Sequence, residues 1–193
     1  MQDFGFYFSL GWHHIISKNA LDHLLFIAAL AAIYLVKDWK QVLVLVTAFT
    51  IGHSLTLALS VYNIIKINSS LVEILIPLTI IITALSNLFQ KKFTPKTIRI
   101  NYLLALFFGL IHGLGFANYI RFMVEGSDQS VGWSLFGFNV GLEVGQIVVV
   151  TLVLLLSYLV VTICKVNRRD WVIFLSAGVF ALALKMVLER LPT

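Results

Sequence analysis

The sequence is short of charge and nearly without cysteine, and each shortage removes a class of protein. Asp, Glu, Lys and Arg make up 12% of the 193 residues, about half the roughly 25% carried by soluble globular domains. An ordinary water-soluble fold is excluded on that ground. A single cysteine, Cys164, stands at the end of an apolar run beside Lys165, so no disulfide framework can form within the chain and nothing points to a thiolate metal site. Basic residues are missing from Met1 to Trp12, where Asp3 is the only charge. The stretch therefore lacks the positive start and small-residue cleavage site of a secretory signal peptide and reads as part of the mature protein. Soluble linkers and repeated blocks are also absent.

What is abundant is apolar: 60% hydrophobic residues and a mean hydropathy of +0.96. These values define an integral membrane protein, and the net charge of +5 then speaks of topology, not of nucleic-acid affinity. A helix needs about 20 mainly apolar residues to span a hydrocarbon core, and six stretches qualify, near 20–36, 41–63, 70–89, 101–124, 134–164 and 171–189. The expected fold is all-α, a single polytopic transmembrane domain over 1–193. It is preceded by an N-terminal interfacial or re-entrant segment in which Phe4, Phe6, Tyr7, Phe8 and Trp12 favour the headgroup level.

Short loops retain Lys and Arg on the cytoplasmic side. Lys37, Lys40, Lys91, Lys92, Lys96, Arg99, Lys165, Arg168 and Arg169 fall in the first, third and fifth loops, against Lys18, Lys66, Arg121, Lys185 and Arg190 on the other side. Both termini are thereby expected outside the cytoplasm of a bacterial-type inner membrane.

With that orientation the scattered polar residues become a layer in the outer half of the membrane. Asp22 and His23 open the first span, His53 and Ser54 lie past the midpoint of the second, Glu73 begins the third, His112 sits mid-span in the fourth, and Asn139, Glu143 and Gln146 descend along the fifth. Ionisable residues are costly in lipid and mark functional sites by default. Asn139, Glu143 and Gln146 share one helix face, with Gly137, Gly141 and Gly145 on roughly the opposite one. Glycines at that spacing let helices approach closely, so this face is also an expected homo-oligomer contact. Three imidazoles with carboxylates suit zinc, nickel or cobalt, whereas calcium or magnesium would want an all-oxygen set and copper(I) would want sulfur. The expected metal ligands are Asp22, His23, His53, His112 and Glu143, supported by His14, Ser54, Glu73, Asn139 and Gln146. His13 reads as an ordinary interfacial residue, and His14 as either that or a gate ligand. Toward the cytoplasm, beyond Ser86 and Asn87, few candidate ligands remain.

The stretches Gly11-Trp12-His13-His14-Ile15, Asp22-His23-Leu24-Leu25-Phe26, Thr47 to Leu57, His112-Gly113-Leu114-Gly115-Phe116-Ala117 and Phe138 to Gln146 together resemble the HupE/UreJ family of membrane proteins, in the branch with HGLGFA and FNxGxExGQ sequences. The resemblance covers nearly the whole chain. It implies a permease for nickel or cobalt, with the metal as the transported ion and membrane lipid as the surroundings. Two other readings of the same residues are a zinc-dependent intramembrane hydrolase acting on a lipid or lipid-linked substrate, with Asp22 or Glu143 as base on a metal-bound water, and a scaffold with a structural metal site.

Overall fold

The computed structural model describes residues 4–17, 20–90, 95–125 and 131–191. Among them every regular element is helical and there is no strand. Helix α1 is Phe4–Ile16 and α2 is Leu21–Ala31; a single 3₁₀ turn, Val36–Asp38, leads directly into α3, Trp39–Val61. Then come α4, Ser69–Phe89; α5, Pro95–Gly115; α6, Ala117–Glu125; α7, Val131–Ser157, prolonged by a wider π turn at Tyr158–Ile163; and α8, Arg168–Arg190. Of the basic residues that set the expected topology, Lys18, Lys91 and Lys92 lie outside the described residues.

Hydropathy leads one to expect six spans. By length and composition, four helices suffice on their own, and α5 with α6 makes a fifth if the pair is one span bent by 50°. The shortfall is the first expected span, 20–36, whose helix stops at Ala31 after 11 residues. That is about 16 Å of helix, roughly half of a hydrocarbon core. Side chains end it by offering other partners to its backbone. The Asn87 amide donates to the Ala29 carbonyl at 2.7 Å, Arg168 donates to the Ile33 carbonyl, and the Leu35 N–H turns to the Asp38 carboxylate at 3.1 Å. An apolar run thus satisfies the hydropathy rule without being one continuous helix.

The N-terminal segment does not merely rest on a surface. α1 lies along α7 in parallel, Phe4 beside Trp133 and Gly137, Ile15 beside Gly145, with Tyr7 and Ile15 fully buried. The approach is backbone on backbone: a Cβ added at Gly141 would land on the Phe8 carbonyl, and one at Gly11 on the Phe138 carbonyl. The glycine face of α7 is therefore filled by α1 of the same chain, and is not a free surface for a second copy. Gly109 and Gly113 seat α5 on α3 in the same way, against the carbonyls of Phe49 and His53.

Side-chain donors fix the two ends of the bundle. At one end Arg169 gives its guanidinium to the carbonyls of Asn87 and Leu88, in the last turn of α4 where carbonyls have no partner within the helix, and to that of Gln90 just past its end. At the other, Pro77 inside α4 has no N–H to give to Glu73 four residues earlier, and Arg190 takes that freed carbonyl at 2.8 Å. The start of α4 and the end of α8 are thus held together beside Asp22, whose carboxylate lies 3.9 Å from Arg190.

A candidate metal centre at the foot of an open cavity

A cavity of about 410 Å³ enters the bundle at the Arg190 end, between α1, α2, α4, α5 and α6. Its wall includes His13, His14, Asp22, His23, Glu73, His112 and Arg190. Three imidazoles gather at its inner side, His14 and His23 in its wall and His53 fully buried next to them without lining it. His14, near the end of α1, His23, in the first turn of α2, and His53 of α3 each offer a ring nitrogen within 4.8 Å of the others. The fourth, His112 of α5, has its ring 5.1 Å from that of His23.

The hydrogen bonds of this group are incomplete in an informative way. His14 Nε2, His23 Nε2, both nitrogens of His53 and Nδ1 of His112 are buried without any hydrogen-bond partner among the described residues. Native proteins rarely leave buried polar atoms unpaired, because desolvation costs about 1–3 kcal/mol for each. Other contacts orient the rings. Asp22 Oδ1 accepts from the His23 backbone N–H at 3.0 Å and stands 3.2 Å from its Nδ1. A carboxylate there keeps the proton on Nδ1 and leaves Nε2 as the free lone pair. The Thr79 hydroxyl lies 3.3 Å from His112 Nε2 and is itself tied to the Ile76 carbonyl at 2.6 Å. Phe116 packs on His14 at 4.0 Å between ring centres, Phe138 stacks on His53, and Phe26 and Phe49 flank His112. The imidazoles therefore sit in an apolar aromatic collar that strengthens any charge interaction made inside it.

Of the expected ligands, Asp22, His23, His53 and His112 converge here. Glu143 does not line the cavity; it accepts the Thr47 hydroxyl at 2.8 Å, and Gln146 accepts that of Thr50 at 2.8 Å. The polar face of α7 is thus a pair of rungs holding α7 to α3, and the residue α7 turns toward the imidazoles is Phe138. Asn139 donates back to the Leu135 carbonyl, and Ser54 to the Thr50 carbonyl. Glu73 lines the cavity mouth. His14 stands within the imidazole group. His13, also in the cavity wall but solvent-exposed, bonds the Ser9 carbonyl at 2.7 Å. Sequence reasoning missed Arg190, counted only as a stray basic residue, and Thr79. Their signals were Pro77, which frees a carbonyl, and the spacing of Thr79 and Thr83 along one helix face.

Donor chemistry also constrains what this group holds. Buried imidazole nitrogens beside one carboxylate favour a divalent first-row transition metal over a hard cation. One ring nitrogen each of His14, His23 and His53 lies within 4.8 Å of the others, the scale on which a single ion bound at about 2.0–2.1 Å from each would draw them together.

A multi-pass α-helical membrane protein with a buried imidazole cluster open to one end is the class that this fold and site define. The chain belongs to the HupE / UreJ protein family, whose profile matches residues 1–190. Searches of curated proteins and of solved structures give no match.

Proposed function

We propose that this protein is a permease of the bacterial-type inner membrane for a divalent transition-metal cation of the nickel or cobalt type. The ion is the cargo. It enters through the cavity at the Arg190 end, which the clustering of Lys and Arg in the opposite loops orients away from the cytoplasm, and is captured by His14, His23 and His53, with His112 beside them. The single observation that carries this reading is the set of buried imidazole nitrogens without partners at the inner side of an open cavity.

Stripping water from a dication in lipid is prohibitive unless protein donors replace the hydration shell, and conduction also requires that the ion leave again. The imidazoles supply the first, and Asp22 offsets charge. The second, release, is a matter for the far side of the path. Family membership agrees with a metal-handling role.

The test is uptake of Ni²⁺ or Co²⁺ into proteoliposomes containing the purified full chain. Saturable uptake that falls at least tenfold in His23→Ala is the expected result. Stoichiometric metal that stays on the protein, with no flux in the wild type, would sink the permease reading.

A further inference from the structure

A permease must also let the ion out on the far side, and three cavities of this molecule are lined by residues that follow one another along α4 and its end. The large cavity touches Glu73 and Ile76 of α4. A small one, about 10 Å³, is lined by Thr83, Ser86 and Asn87 of α4 and Asn101 of α5, with Leu30 and Leu104 completing the wall. A third, about 190 Å³, opens at the opposite end against Gln90. Positions 76, 79, 83 and 87 repeat every three or four residues and so share one face of α4, and Gln90 is the residue that follows its end. Thr79 is buried between the residues of the first cavity and those of the second and lines neither; its hydroxyl lies beside His112 Nε2, and its carbonyl accepts the Thr83 hydroxyl at 2.9 Å.

We infer that this face of α4, through Thr79, Thr83 and Asn87 to Gln90 past its end, with Asn101 opposite, is the inner half of the translocation path. The inference rests on the permease reading. From Thr79 to Gln90 the helix rises about 16 Å, roughly half of a hydrocarbon core, which is the depth left below the imidazoles. The small cavity has room for about one water among hydroxyl and amide groups. Oxygen donors of this kind hold a nickel-type ion less firmly than imidazole does, so affinity declines along the path and the ion is released. The one other cavity below the site among those described runs between α2, α3 and α7, and Gln146 is its single polar wall residue. A cation has nothing there to replace its water. At the exit, Asp38 sits with Lys37 and Arg168, a rim of mixed charge.

Full-length protein in proteoliposomes separates the two questions. Ni²⁺ binding is measured by equilibrium dialysis and Ni²⁺ influx by a trapped chelating dye, for the wild type, Thr83→Val, Thr83→Ser and Thr151→Val. Thr151 serves as control because its exposed hydroxyl bonds only back to the Ile147 carbonyl. The expected result is binding within twofold for all four, influx reduced at least tenfold in Thr83→Val, and influx kept in Thr83→Ser and Thr151→Val. A second measurement uses Thr83→Cys in a Cys164→Ser background, where Cd²⁺ or a methanethiosulfonate reagent should block influx. If the wild type carries Ni²⁺ while Thr83→Val conducts normally and the Thr83→Cys protein is not blocked, the path is overturned and the permease reading stands. If the wild type binds Ni²⁺ but passes none, the permease reading fails and this inference with it.

Discussion

At the scale of single residues, the centre is decided by which nitrogen of each ring carries a proton. Asp22 is set against the backbone N–H and Nδ1 of His23, so its first task is to hold that ring and its tautomer. Removing such an orienting carboxylate usually lowers metal affinity 10–100-fold. Asp22→Asn is therefore expected to weaken Ni²⁺ binding by one to two orders of magnitude in equilibrium dialysis. Asp22→Glu, which keeps the charge, should recover part of the loss if orientation and charge both matter. Equal affinity in Asp22→Asn and wild type would assign Asp22 no part in the site. Arg190 lies 3.9 Å from the other oxygen of Asp22, which places a cation, fixed by the Glu73 carbonyl, at the mouth of a cation site.

Among the helices, α1 and α2 matter most, because each is too short to cross a membrane alone and each delivers an imidazole. α1 brings His14 by backbone contact with α7, and that contact leaves no space for a side chain at Gly141. Overpacking a close interface costs about 1–3 kcal/mol or forces the elements apart. Gly141→Val should therefore displace α1 and lower Ni²⁺ binding at least tenfold with every histidine still present. Gly178→Val, on α8 where nothing lies within 4 Å of an added Cβ, should bind as the wild type does. Unchanged binding in Gly141→Val would show that His14 contributes little. α3 and α7 are held differently, by the Thr47–Glu143 and Thr50–Gln146 bonds. That explains polar residues on α7 without any direct contact with metal.

For the molecule as a whole, the site joins helices that are distant in sequence, so an ion bound to it must stabilise the bundle. Ligand at a hundred times its dissociation constant adds about 2.7 kcal/mol to the folded state. In detergent, saturating Ni²⁺ is expected to raise the melting temperature of the wild type measurably, and chelation should reverse the rise. His53→Ala should melt at the same temperature with and without Ni²⁺. An equal shift in His53→Ala and wild type would place the stabilising ion elsewhere.

Much of this was legible in the sequence for physical reasons. Long apolar runs with few charges partition into lipid, where helix is the main way to satisfy the backbone, and ionisable residues kept within them, Asp22, His23, His53 and His112, had to face one another because lipid offers no partner. The chain alone therefore determined an all-α membrane bundle, a donor set suited to a transition metal, and four of the residues that line up at the centre. Only the tertiary structure decided the rest. Whether Gly137, Gly141 and Gly145 meet another molecule or another helix of the same chain depends on what packs there, and α1 does. Whether Glu143 faces metal or Thr47 depends on the rotation of α7, which helical spacing leaves open. Where the first apolar run ends as helix was set by Asn87, Asp38 and Arg168, two of them far along the chain. Hydropathy and spacing report how each segment partitions into lipid; they carry no term for the side chains that arrive from elsewhere to take a carbonyl, fill a glycine face or leave a nitrogen bare.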